Sequence, residues 1–158
     1  MKNNTRHIDI KNFLPHRPPM LMVDNVLFID DQSVKTNFLI KSDCIFVGED
    51  GLSESGLIEN AAQTCSAIVG KSFFDEEDVE GKNNQVVGFI SGVKSFNIIK
   101  LPLLKETIIT TANLISRFDA EGYSICAIKC NIESENSVLA ECEMNLFIQE
   151  VKVSNEKK

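Results

Sequence analysis

Hydrophobic and polar residues alternate through most of the second half of the chain. Four runs carry the pattern: Gln85 to Ile98, Glu106 to Phe118, Tyr123 to Glu133 and Val138 to Gln149. Alternate side chains of a strand face opposite ways, so this period of two predicts four strands. The last three are separated by short polar stretches, Asp119-Ala120-Glu121-Gly122 and Ser134-Glu135-Asn136-Ser137, which suit antiparallel hairpins. The link from Lys100 to Lys105 is longer. Near the start, Met20 to Asp30 and Val34 to Ile40 predict a further hairpin, turned by Asp30-Asp31-Gln32-Ser33.

One stretch has the other period. From Ser55 to Phe73 the apolar residues Leu57, Ile58, Ala61, Ala62, Cys65, Ala67, Ile68 and Val69 cover most of a helical circumference. A helix apolar nearly all round is a buried helix. Ser53 or Ser55 can cap it, because a serine oxygen accepts from exposed first-turn amides. Residues 41–54 read as a surface loop, and Asp75 to Asn84 as an acidic one. Ile8 to Leu14 has room for one or two helical turns before Pro15, which pushes its predecessor out of helical conformation. Leu14-Pro15-His16-Arg17-Pro18-Pro19 then reads as a rigid extended connector. The order is short helix, two strands, buried helix, four strands. A single helix buried on nearly every side requires the sheet to curl around it, so the fold class is α+β, an antiparallel sheet wrapped about one central helix. The expected bounds are one domain over 1–149 and a charged tail over 150–158.

Composition narrows the functions. The 158 residues make one domain that buries a core of its own. Sixteen basic and twenty-three acidic residues give a net charge of −7, which argues against nucleic acid and anionic lipid as general partners. No run approaches the ~18 apolar residues of a membrane helix, and no apolar run follows the first residues, so neither a span nor a signal peptide is expected. The five cysteines are an odd number without framework spacing. Free thiols in a reducing cytoplasm are expected. Cys126 and Cys130 share one strand face, but no second pair completes a zinc set, so no metal is expected.

Glu59 is the most informative side chain. It stands in the first turns of a helix that otherwise asks for burial, where lost hydration favours the neutral carboxyl. A carboxyl kept neutral can act as a general acid. Gln63, four residues on, shares its helix face and can orient it, and the exposed amides of the helix start can hold a carbonyl oxygen as charge develops. The plain alternative is a glutamate that complements the helix dipole and faces solvent. His16, lodged among prolines, is a candidate general base, or else a structural histidine bonding a carbonyl. A Cys–His nucleophile pair would need Cys44 or Cys65 beside a histidine, and nothing in the sequence places one there. Lys94, Lys100 and Lys105 form a local positive strip for an acidic or phosphate-bearing partner, or a solvated loop.

Three motifs together resemble one family. Leu14-Pro15-His16-Arg17-Pro18-Pro19-Met20-Leu21-Met22-Val23-Asp24, then Gly56-Leu57-Ile58-Glu59-Asn60-Ala61-Ala62-Gln63, then Phe89-Ile90-Ser91-Gly92-Val93-Lys94-Ser95-Phe96 followed by Pro102, resemble the 3-hydroxyacyl-[acyl-carrier-protein] dehydratases. The similarity runs from about residue 8 to 148. It implies a hot-dog fold and two protomers joined sheet edge to edge. An acyl chain on a phosphopantetheine arm would enter a tunnel at their interface, with no other cofactor. In that family a histidine of one subunit removes the proton beside the thioester carbonyl. A glutamate of the other subunit's central helix helps expel the 3-hydroxyl as water. The resemblance carries Glu59 over as the acid and Gln63, Gly56 and Gly92 as substrate-contacting positions.

The family's histidine segment is replaced here by Cys44-Ile45-Phe46-Val47-Gly48, and Glu54 stands where the family's oxyanion glycine is usual. His16 is therefore the only replacement base within the motifs. The run from Ser53 to Cys65 resembles a divergent branch associated with aryl-polyene and flexirubin-type pigments. This leaves three expectations: a dehydratase acting on carrier-bound 3-hydroxyacyl chains, as a homodimer or higher oligomer; a weak or inactive acyl-carrier-binding subunit paired with a paralogue; or a hot-dog thioesterase.

Overall fold

The computed structural model describes residues 8–73, 84–135 and 137–152. In chain order these form β1 (Ile8–Asp9), a 3-10 turn (Ile10–Asn12), β2 (Asn25–Ile29), β3 (Ser33–Leu39), α1 (Glu54–Phe73), β4 (Asn84–Ile98), β5 (Thr107–Ala120), β6 (Tyr123–Ser134) and β7 (Ser137–Lys152). The strands make one antiparallel sheet in the order β1-β2-β3-β5-β6-β7-β4. The sheet wraps α1, which contacts β3, β4, β5, β6 and β7. This is the hot-dog architecture.

The local causes are those the pattern implies. Ser53 Oγ accepts from the Gly56 amide at 3.3 Å, capping α1. Leu57, Ala61, Ala62, Cys65, Ala67, Ile68 and Val69 are buried against the inner residues of the sheet. Along β6, Ser124, Cys126, Ile128, Cys130 and Ile132 point inward at every second position. Cys130 lies opposite Cys142 of β7. The hydrogen bond with Cys130, then burial, pushes the Cys142 thiol above the ordinary cysteine range; Cys142 opposes the rise at Cys130, but Cys65 and burial outweigh it. They act as small hydrophobes in the core.

Three segments differ from the sequence reading. Ile8–Asp9 is strand, and among the described residues one 3-10 turn, Ile10–Asn12, precedes Pro15. The strand expected over Met20 to Asp30 is confined to Asn25–Ile29, because side chains of α1 take the backbone groups of Met20 and Met22. β7 runs on to Lys152, so 150–152 are strand. The acidic loop of 75–83 and residues 153–158 lie outside the described residues. β4 closes one edge of the sheet, with bulges after Ile90 and Val93.

Candidate active site

The connector before β2 is tied down from both sides. Arg17 Nη1 donates to the carbonyls of Leu14 (2.9 Å) and His16 (2.8 Å). The amides of Met20 and Leu21 donate back to the Arg17 carbonyl at 3.0 and 3.2 Å. His16 is thus held at a fixed place above α1. Its Nε2 lies 3.9 Å from Glu59 Oε1, with the two side chains 28% and 25% exposed.

Gln63 joins the connector to the helix. Its Oε1 accepts from the Met22 amide at 2.7 Å, and its Nε2 donates at 2.8 Å to both the Met20 carbonyl and Glu59 Oε1. Only this orientation of the amide satisfies all three partners, since one must donate and two must accept. Gln63 is 1% exposed, so one buried side chain orients the glutamate and anchors the segment that carries the histidine. Burial lowers the His16 pKa below the usual histidine value; nearby Arg17 lowers it further, and Glu59 opposes both. His16 is therefore neutral near pH 7 and able to accept a proton.

These groups face an open cavity of about 220 Å³ lined by His16, Glu59, Ala62, Gln63, Ser66, Gly88, Phe89, Ile90 and Leu146. His16, Glu59, Gln63 and Ser66 give it polar groups, and β4 and β7 contribute the apolar Phe89, Ile90 and Leu146. At 3.9 Å apart, a base and an acid can both reach neighbouring atoms of one bound molecule.

Glu59, Gln63 and His16 are brought together. Gly56 and Gly92 do not line this cavity. The Gly56 amide is taken by Ser53 Oγ, and a Cβ there would fall 2.5 Å from Leu52 Cδ1 and 2.8 Å from Phe46 Cβ, so this glycine serves close packing at the helix start. Gly92 sits at a bulge of β4 beside Asn145. Neither candidate thiol meets His16. Cys44 Sγ contacts Met22 Sδ at 3.6 Å beside a separate cavity of about 300 Å³, and Cys65 is in the core. Lys94 is in β4 rather than in a loop, 3.6 Å from Glu143, while Lys100 and Lys105 are exposed in the following connector. Sequence reasoning missed Ser66, Gly88, Asn60 and Thr110. The spacing of Asn60 three before Gln63, two amides on a helix expected to be buried, is the signal that could have found Asn60. Among the described residues no group of His, Cys, Asp and Glu could hold a metal, and no helix is long and apolar enough to cross a membrane.

Fold and site define a class, a hot-dog domain with His16 and Glu59 brought together at an open cavity beside the central helix. A family model described as ApeP dehydratase matches residues 8–156, and the chain belongs to this ApeP-like dehydratase family. Among solved structures it is similar to the dehydratase heterocomplex ApeI:P from Xenorhabdus doucetiae, with a TM-score of 0.72, 19% identity, and coverage of 95% of this chain and 94% of that one. It also resembles a hypothetical thioesterase with coenzyme A from Streptococcus pneumoniae (TM-score 0.58, 11% identity, 81% and 87% covered). A third likeness is to the E. coli PaaI protein (TM-score 0.53, 9% identity, 77% and 79% covered). No curated protein sequence matches it.

Proposed function

We propose that the chain dehydrates 3-hydroxyacyl thioesters carried on the phosphopantetheine of an acyl carrier protein. His16 takes a proton from the carbon beside the thioester carbonyl. Glu59 donates a proton to the leaving 3-hydroxyl. The C–H and C–O bonds break, a trans double bond forms and water departs. The observation that carries the reading is the His16–Glu59 approach of 3.9 Å within a single chain, at a cavity also lined by the apolar Phe89, Ile90 and Leu146. No cofactor beyond the carrier's arm takes part.

The edge strand β4 exposes Val87, Phe89, Ile90 and Val93, and among the described residues no strand pairs with its outer side, so a partner's sheet can continue it. The similarity to a heterocomplex supports a paralogue as that partner, and a second copy of the chain is the alternative. A carrier protein, itself acidic, would dock through Lys100 and Lys105. The second reading follows from Cys44-Ile45-Phe46-Val47-Gly48, which holds no histidine: the partner's histidine would serve as base and this chain would supply Glu59.

The test is mass spectrometry of a 3-hydroxyacyl carrier incubated with the chain alone and with its partner. Loss of water that requires both His16 and Glu59 supports the proposal. Loss of water unaffected by His16→Gln but abolished by Glu59→Gln assigns the base to the partner. No loss of water in any mixture refutes dehydration, and free carrier thiol in its place identifies a thioesterase.

A further inference from the structure

Behind Glu59 and Gln63, a second line of polar groups crosses the core. Thr110 Oγ1 on β5 donates to Asn60 Oδ1 at 2.6 Å. Asn60 Nδ2 donates to the Met22 carbonyl at 2.7 Å. Thr110 is wholly buried and Asn60 is 1% exposed. Such groups are costly in an apolar core unless each is bonded, and here the chain ends on the same residue whose amide Gln63 holds at 2.7 Å. Met22 is therefore gripped at both its N–H and its C=O, from two side chains one helical turn apart.

We infer that Thr110 and Asn60 are positioning residues for the dehydration site, a strut from the sheet through α1 that holds the His16-bearing connector at its working distance from Glu59. The inference rests on the proposed roles of His16 and Glu59. Several observations support it. Among the described hydrogen bonds, those that join the connector and Met22 to α1 are all made by Asn60 and Gln63. An asparagine held by Thr110 has its amide direction set, because its oxygen is occupied and its nitrogen must face Met22. Displacement of a catalytic group by ~1 Å can cost ~10²-fold in rate, which is the scale on which such a strut matters.

The consequence is visible at His16 itself. The charged groups acting on it are Glu59 from α1 and Arg17 from its own connector. β4 and β7 face the cavity with Gly88, Phe89, Ile90 and Leu146, none titratable. Loosening the connector admits water to the imidazole, and its titration then moves up toward the ordinary value near 6.5.

The variants are Thr110→Val, which keeps shape and removes the hydroxyl, and Thr110→Ser, which keeps the hydroxyl. Thr110→Ala is the reserve if Thr110→Val fails to fold. His16 is one of two histidines, so its imidazole titration is read by NMR with His16→Gln as the assignment control. Turnover of a 3-hydroxyacyl carrier is measured on the same proteins with the partner present. The expected result for Thr110→Val is a kcat about 10- to 100-fold lower, KM within about twofold, and a higher His16 midpoint, with Thr110→Ser recovering both. An unchanged His16 midpoint in Thr110→Val overturns the inference, as does equal impairment by valine and serine. If the wild-type protein dehydrates nothing, the proposed function fails while the titration still decides the strut.

Discussion

Replacing Gln63 by glutamate changes one atom and reverses the logic of the hydrogen bonds around it. The introduced carboxyl can still accept from the Met22 amide. Ionised, it can no longer donate to the Met20 carbonyl or to Glu59 Oε1, both now 2.8 Å from Gln63 Nε2. A buried carbonyl left without its donor costs about 1–3 kcal/mol. Two carboxyls within hydrogen-bond distance resist ionising together, which adds about 1.4–2.7 kcal/mol. When protonated, the introduced carboxyl donates once and recovers part of both. The folded state thus holds a proton that the unfolded chain has released, so stability is present at low pH and is lost as pH rises. We expect Gln63→Glu to lose about 2–4 kcal/mol between pH 5 and pH 8 beyond any change in the wild type, or about 4–16 °C in Tm for a domain of this size. Gln63→Met, neutral throughout, should lose stability about equally at both. Thermal melts of the three proteins across pH provide the measurement. A Gln63→Glu curve parallel to the wild type would refute the arrangement of donors around Glu59.

Four further outcomes are expected. Glu59→Gln lowers kcat by about 10²–10⁴-fold with little change in Tm, since the amide keeps the bond from Gln63; wild-type turnover by this variant, measured with its partner, would contradict the acid role. His16 binds its proton less readily folded than unfolded, so wild-type stability rises with pH through the range just below about 6.5; His16→Gln should flatten that rise in melts between pH 5.5 and 7.5. Gly88→Val should raise KM for acyl thioesters, because a Cβ there meets Ile148 Cδ1 at 3.0 Å and Ser66 Oγ at 3.8 Å and the branches beyond it intrude on the cavity. Carrier binding, followed by titration calorimetry, should weaken with added salt and with Lys100→Glu combined with Lys105→Glu.

The strands were legible where one face meets the core and the other meets water. Tyr123 to Glu133 alternates along its whole length and is β6 almost to the residue, and α1 declared itself by apolar residues on every side. Met20 to Asp24 misled because its residues suit a strand, but Gln63 and Asn60 take backbone groups that a sheet partner would otherwise take. No local pattern reports such a bond across about forty positions of chain. The Glu59–Gln63 pair was readable because helical neighbours four apart must meet. The approach of His16 was not, since it depends on how the connector folds back over α1. Gly56 looked like a substrate contact and proves to be a packing glycine, a distinction set by Phe46 and Leu52. Asn60 stood out as an amide on a buried helix, but its partner Thr110 stayed hidden because a threonine in a strand looks ordinary alone; only the structure brings strand and helix together.

The most direct test of the account is a structure of the Glu59→Gln protein, with its partner, holding a 3-hydroxyacyl pantetheine thioester. The account predicts the 3-hydroxyl within about 3 Å of the substituted amide, the carbon beside the thioester facing His16 Nε2, and the acyl tail running along Phe89, Ile90 and Leu146. A thioester seated instead beside Cys44, Met22 and Phe38, with the His16 cavity empty, would contradict it.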